Sequence, residues 1–182
     1  MHRTEIITID LPYLVEIKAR TSGPDLVRER LIANGAVLQG RDHQVDHYFH
    51  VPEGRLKLRL GTIERSLIFY QRPNQAGPKD SKVSLCRLEE VSGAAPEQLL
   101  GVLTAALGEW NRVDKQREIY WADNVKLHLD EVAGLCTFVE IEAIGDAADQ
   151  HEALEKQCRA WMNKLGIADN DLIEGSYSDM EA

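Results

Sequence analysis

Apolar and polar residues alternate with a period of two along much of the chain. Leu14-Val15-Glu16-Ile17-Lys18-Ala19-Arg20 is the first such run, and others recur at 44–51, 55–61, 66–72, 81–91, 112–121, 125–132 and 137–144. Successive side chains of a strand point to opposite faces, so the pattern predicts strands over 13–20 and over each later run. Turn signals separate several of them: Pro52-Glu53-Gly54, the stretch from Pro73 to Pro78, Ala122-Asp123-Asn124, and Gly134. Three segments follow a helical period instead. Residues 24–34 begin at Pro24 and stop at Gly35. Residues 96–107 begin at Pro96, repeat Leu99, Leu100, Leu103 and Leu107, and stop at Gly108. Residues 147–165 follow Asp146 as an N-cap and align Leu154, Cys158, Trp161, Met162 and Leu165 on one face, a stripe that reads as core. The strands therefore predict an α+β protein built on a large antiparallel sheet or a closed barrel, with about three helices.

The polar faces of these strands are unusual in kind. Glu16, Lys18 and Arg20 share one face of the first strand. Arg55, Lys57 and Arg59 make a wholly basic face, and Lys115 and Arg117 share another. Lys126, His128 and Asp130 lie together, as do Glu140 and Glu142. Like charges opposed on one face repel by roughly 0.2–1 kcal/mol per pair, so a merely solvated face would mix signs more cheaply. Concentrated bases and concentrated acids on neighbouring strands suit a polyanion and a divalent cation: phosphate oxygens take Lys and Arg, and carboxylates take the metal. If the sheet closes, these faces can line the interior while the apolar faces turn outward beneath the helices. Such an interior must be wet, cross-paired or ligand-filled, since an unpaired buried charge costs several kcal/mol.

The 182 residues are 43% apolar and 28% charged, which is ordinary for one globular domain spanning 1–182. The net charge of −9 argues against non-specific nucleic-acid or anionic-membrane binding, though not against a small basic pocket. No apolar run reaches the roughly 20 residues of a membrane span, and Met1-His2-Arg3-Thr4-Glu5 is not the start of a secretory signal. Cys86, Cys136 and Cys158 are widely spaced and form no CxxC pair, consistent with reduced thiols in a cytoplasmic protein.

Together these residues resemble a known family. Val15-Glu16-Ile17-Lys18-Ala19-Arg20 is similar to the ExExK strand of the CYTH superfamily, the triphosphate tunnel metalloenzymes, which includes class IV adenylyl cyclases and thiamine triphosphatases. The resemblance continues in order through Asp46-His47-Tyr48-Phe49, Gly54-Arg55-Leu56-Lys57-Leu58-Arg59, Tyr70-Gln71-Arg72-Pro73, Lys115-Gln116-Arg117, His128-Leu129-Asp130-Glu131-Val132, Phe138-Val139-Glu140-Ile141-Glu142 and Ser176-Tyr177-Ser178-Asp179. It implies an eight-stranded antiparallel β-barrel forming a tunnel with a charged interior. It implies Glu16, Asp130, Glu140 and Glu142 as ligands for Mg²⁺ or Mn²⁺, and Lys18, Lys57, Arg59, Arg72, Arg87, Lys115 and Arg117 as phosphate ligands. Glu89 resembles a further acidic tunnel position. Lys18, Arg59 and Glu140 carry the catalytic expectation. The implied substrate is a small triphosphate, whether ATP, thiamine triphosphate or tripolyphosphate, and the implied state is a monomer or homodimer. Cyclase and triphosphatase chemistry need nearly the same ligands and both stay open; the runs at Glu16–Arg20 and Gln71–Lys79 resemble the bacterial cyclase-like branch.

One position departs from the family pattern. Leu14 stands where ExExK has its first Glu, which keeps open a non-catalytic nucleotide- or polyphosphate-binding module. Other signals carry less. His43, His47 and His50 do not share one strand face and have no cysteine nearby, unlike a four-ligand zinc site. His128 reads as a satisfied polar histidine before it reads as a base. Gly77-Pro78-Lys79-Asp80-Ser81 lacks Walker spacing and reads as a loop, with Lys79 a candidate to reach a phosphate at the tunnel mouth. Charged alternate positions argue against a carrier with an apolar lumen.

Overall fold

A computed structural model describes residues 13–71, 76–88 and 95–180. Eight antiparallel strands close into a barrel: β1 (Tyr13–Thr21), β2 (Val37–Phe49), β3 (Arg55–Gly61), β4 (Arg65–Gln71), β5 (Lys79–Arg87), β6 (Glu109–Ala122), β7 (Val125–Val132) and β8 (Thr137–Gly145). Around the barrel the order is β1-β5-β4-β3-β2-β6-β7-β8. Three helices lie outside: α1 (Pro24–Ala33), α2 (Ala95–Leu107) and α3 (His151–Leu165). No helix among the described residues is long and apolar enough to cross a membrane.

The alternation explains which face goes where. Val15, Ile17 and Ala19 of β1, Val125, Leu127 and Leu129 of β7, and Val139, Ile141 and Ala143 of β8 point outward into a core closed by Val27 and Leu31 of α1 and by Leu154, Cys158, Trp161, Met162 and Leu165 of α3. On the other side, Leu56, Leu58 and Leu60 of β3 pack with Phe49 and Leu67 against Leu99, Leu100 and Leu103 of α2. Burying these side chains outside the barrel, at roughly 1.5–3 kcal/mol each for full burial, leaves the charged faces no place but the bore.

Several boundaries differ from the sequence expectation, and three of the differences bear on the site. β2 starts at Val37 rather than 44, because its early half pairs with β6 through a register shift between Leu38 and Gly40. The inward side chains there, Asp42 and Gln44, are polar and buried, so no apolar alternation marks them. β5 begins at Lys79, which moves Lys79 out of the expected loop and into the barrel wall. The last helix begins at His151 after a 3₁₀ turn (Ala148–Gln150), and its N-cap is Gln150, not Asp146.

The C-terminal segment completes the wall. β1 faces β5 only from Leu14 to Glu16. Beyond that point Leu172 bridges to Ala19, and the Ile173 N–H donates to the Lys18 carbonyl at 3.0 Å. Lys79 Nζ donates to the Glu174 carbonyl at 2.8 Å from the other side of the gap. Residues 176–180 then cross one end of the bore.

Candidate active site

Directly paired residues share a face, so the strand register can be read as rings around the bore. One ring holds Trp121, Lys126, Glu142, Glu16 and Lys79. The next holds Ile119, His128, Glu140 and Lys18, and the third Arg117, Asp130, Phe138 and Arg20. Across the barrel, Asp46 pairs with Arg59 and Tyr48 with Lys57. Together they surround a cavity of about 320 Å³ whose lining includes Glu16, Lys18, Lys57, Arg59, Lys115, Arg117, Glu140 and Glu142. These eight inward positions are the ones the strand parity predicted.

The bore charges are paired with one another. Asp46 is 1% exposed and takes three cations: Arg59 donates to both oxygens (2.8 and 3.0 Å), Lys57 Nζ lies at 2.8 Å and Lys115 Nζ at 3.1 Å. Burial works against its charge, but Arg59, Lys115 and Lys57 hold Asp46 well below the usual carboxylate range. Glu140 is the second hub. It pairs with Lys18 and Arg117, and His128 Nδ1 lies 3.2 Å from it. Burial opposes its charge, and Arg117 and Lys18 override that and keep its pKa well below normal. Glu64, from the β3–β4 turn, links the two sides by bonding Lys126 and, at 3.3 Å, Arg59.

Two devices aim these groups. Asp42 accepts from the Thr62 hydroxyl and from the N–H groups of Ile63 and Glu64, which fixes the turn that carries Glu64. Gly61 permits that close approach: a Cβ there would lie 2.4 Å from the Glu64 carbonyl and 2.9 Å from both Asp42 oxygens. Tyr177, from the C-terminal segment, lies under Lys18, whose Nζ is 3.5 Å from the ring centroid, and its hydroxyl donates to Asp130 at 2.8 Å. Asp130 in turn accepts from Arg117.

His128, Glu140 and Glu142 each offer a ligand atom, all within 4.8 Å of one another. His128 is buried, and its Nε2 has no hydrogen-bond partner. Burial, then the neighbouring Arg117, lowers the His128 pKa, so the ring is neutral while Glu140 is ionised; those are the protonation states a metal needs. This donor set fits a divalent cation, and Glu16 lines the same cavity as the register partner of Glu142.

Some expected site residues fall elsewhere. Asp130 is fully buried behind Arg117, its oxygens occupied by Arg117 and Tyr177, and stands outside the His128–Glu140–Glu142 group. Its geometry is that of a carboxylate orienting a guanidinium. Arg87 lies at the cavity edge and is exposed. Arg20 is exposed at the end of β1. Lys79 is spent on the C-terminal carbonyls rather than at a mouth. Arg72 and Glu89 lie outside the described residues. Sequence reasoning gave no role to Asp46, Glu64 or Tyr177. Asp46 did carry a signal, since it shares a face with the Gln44 and Tyr48 positions of β2. Glu64 carried none, because it sits in a turn.

A closed antiparallel barrel with paired acids and bases along its bore defines a tunnel protein whose interior is made for charged ligands. The chain belongs to the CYTH domain family, whose sequence profile matches residues 13–177. Over 174 residues it is 26% identical to a Methanocaldococcus jannaschii protein named "Putative adenylate cyclase MJ0240", covering 91% of this chain and 97% of that one. The fold matches the PH1012 protein of Pyrococcus horikoshii OT3 with a TM-score of 0.76 at 20% identity, over 91% of this chain and 98% of the other. It also matches HpAC1 of Hippeastrum, described as having a dominant triphosphatase activity, with a TM-score of 0.59 at 15% identity, over 93% of each chain.

Proposed function

We propose that this protein is a divalent-metal-dependent enzyme acting on a small triphosphate. The observation that carries the reading is the sharing of one cavity by a carboxylate–histidine cluster and by Lys18, Lys57, Arg59, Lys115 and Arg117. Membership of the CYTH family, among whose relatives are proteins named as cyclases and one described as a triphosphatase, supports the same class of substrate.

The paired bore suggests how ligands enter. Triphosphate oxygens join Asp46 as acceptors for Lys57, Arg59 and Lys115, with Arg59 able to give a two-pronged grip, and replace Glu140 as the acceptor for Lys18 and Arg117. Glu140, so released, would hold the cation together with Glu142, His128 and Glu16. When bound, a divalent ion polarises phosphoryl oxygens and offsets the charge that builds in transfer. Lys18 and Arg117 lie between the two groups and stabilise the same charge on the transferring phosphorus. Because each ligand takes the partners of the other's site, anion and metal should bind with positive coupling. The imidazole in the donor set favours Mn²⁺ over Mg²⁺.

The test is a panel of ATP, thiamine triphosphate and inorganic tripolyphosphate with Mn²⁺ or Mg²⁺, scoring phosphate, pyrophosphate and cyclic AMP separately. Metal-dependent release of any product supports the enzyme reading, and the product tells whether water or a ribose hydroxyl is the nucleophile. Tight binding without turnover would instead favour the binding module that Leu14 suggests. No binding at all would end both.

A further inference from the structure

The two ends of the bore are built differently. At one end the lining residues Leu14, Trp121, Lys126, Glu142 and Ile144 are all partly exposed. At the other, the C-terminal segment crosses from the β1 gap to β6 and β3. Ser176 is buried 3.4 Å from the Tyr48 hydroxyl and 3.3 Å from the Tyr70 hydroxyl. Tyr177 packs on Phe138 with ring centroids 4.8 Å apart, and is 2% exposed. The Ser178 carbonyl accepts from Asn111 Nδ2 at 2.8 Å. Asp179 accepts from Arg55 at 2.8 and 3.0 Å and, at 2.7 Å, from the Ser176 N–H, which ties the segment to the start of β3. Behind it lie buried Val113, Val132 and Phe138.

We infer that the strap formed by residues 172–180 makes the tunnel blind, so that it accepts only triphosphates whose terminal phosphate carries no bulky group, which enter tail first from the Trp121 end. The inference rests on the triphosphate reading above and adds the direction of entry. A tail advancing from the mouth passes the Glu140 cluster and ends among Lys57, Lys115 and the Tyr177 ring, where buried Tyr48 and Tyr70 leave no exit for a second organic group. A group esterified to the first phosphate stays at the mouth. A ligand carrying bulky groups at both ends cannot seat.

Isothermal titration with Mn²⁺ can test this with four ligands: tripolyphosphate, ATP, the γ-methyl ester of ATP, and P1,P3-di(adenosine-5′) triphosphate. The last two carry the same charge and differ in the bulk of the terminal group. The methyl ester should bind, and the dinucleotide should bind at least about tenfold more weakly. Asp179→Ala and Arg55→Ala each cut the tie that holds the strap, from opposite sides. In at least one of them dinucleotide binding should recover about tenfold, while methyl-ester binding stays within about threefold of wild type. Equal binding of the two esters by the wild-type protein overturns the blind end. So does a dinucleotide that stays excluded from both variants while they are shown folded by unchanged circular dichroism. Failure of tripolyphosphate and ATP to bind would instead overturn the triphosphate reading itself.

Discussion

Asp46 and Glu140 are both inward carboxylates, both held well below their ordinary pKa by neighbouring bases, and their surroundings differ in one respect. Among the described residues, the hydrogen-bond and ion-pair partners of Asp46 are all cations: Lys57, Arg59 and Lys115. Around Glu140 there are cations on one side, Lys18 and Arg117, and on the other side Glu142 and His128. A carboxylate among bases alone organises those bases and has nothing to share a metal with. A carboxylate that also touches acidic and imidazole donors can pass its cations to an incoming anion and keep a cation of its own. Under the proposed function, Asp46 would then hold the shape of the phosphate side and Glu140 would belong to the metal side.

The largest expected effect separates the two on stability. Asp46→Asn leaves buried Arg59 and Lys115 and half-buried Lys57 without their counter-charge, and breaking a buried pair in this way typically costs about 3–5 kcal/mol. For a chain of this size that is a fall in Tm of roughly 10 °C, at about 2–4 °C per kcal/mol. Glu140→Gln should cost less, because Arg117 keeps Asp130. Its signature is a metal requirement raised about tenfold or more, with metal-free tripolyphosphate binding unchanged or tighter, since a repelling charge is gone. Thermal melts and metal titrations of turnover measure both. Equal melts and equal metal curves for the two variants would erase the distinction.

Arg59→Ala sharpens the phosphate side. Asp46 keeps Lys57 and Lys115 in this variant, so the fold should survive. Losing hydrogen bonds from a charged group costs about 1.5–3 kcal/mol, or roughly 10- to 100-fold in tripolyphosphate affinity. The metal requirement should not move. An unchanged affinity by calorimetry would remove Arg59 from the phosphate grip.

The contrast between these two carboxylates shows what was legible in the sequence. Period-two alternation placed every strand, and strand parity placed Glu16, Lys18, Lys57, Arg59, Lys115, Arg117, Glu140 and Glu142 in one bore, because a closed sheet leaves each parity only one inside. The helices were legible because their apolar stripes had to cover the outward faces. What alternation could not show was pairing across the barrel. Asp46 and the charged face of β3 lie far enough apart in sequence that only the β2–β3 register reveals their contact. Glu64 depends on a turn held by Asp42, and Tyr177 on a gap between β1 and β5 that appears only once the sheet closes. Asp130 and Lys79 carried the right charge for a ligand, but their buried partners, Arg117 and the C-terminal carbonyls, take them out of the first contact with one.

A smaller effect should appear in the pH dependence of the phosphate side. Burial, reinforced by neighbouring Arg117, lowers the Lys115 pKa to about 7. As pH rises through 7 the ammonium loses its proton, and with it part of its attraction for a polyanion. Metal-free tripolyphosphate affinity should therefore fall between about pH 6 and 8, by several-fold for one charge at this separation. Lys115→Arg, which stays protonated, should flatten that fall. Stability has the opposite sign. The unfolded chain keeps this lysine protonated up to its ordinary pKa of 10.5, so between about 7 and 10.5 the unfolded state binds more protons and this group's contribution to stability rises with pH. Calorimetry and melts across that window should move in opposite directions. Parallel movement would sink the assignment.

The smallest expected effect concerns Leu14, which extends the comparison toward the mouth. Leu14 shares the inward face with Glu16, two residues on, and pairs in register with Ile144, so the ring above Glu16 and Glu142 is apolar on β1 and β8. Leu14→Glu would put a second carboxylate on the inward face of β1, beside Glu16 and next to the metal side. If Glu140, Glu142, His128 and Glu16 make one cation site, this change should raise apparent Mn²⁺ affinity by about threefold to tenfold, or add a second bound Mn²⁺ per chain when tripolyphosphate is present. It should weaken metal-free anion binding only slightly, because the added charge sits at the partly exposed mouth, where water screens it. The Asp46 side should be blind to it: Lys115 should titrate as before, and the loss from Arg59→Ala should add to it without coupling, as independent sites do. A double-variant cycle by calorimetry decides the matter. Coupling between Leu14→Glu and Arg59→Ala in the absence of metal would show that the two sides of the bore are one electrostatic unit, and the division drawn between Asp46 and Glu140 would then be wrong.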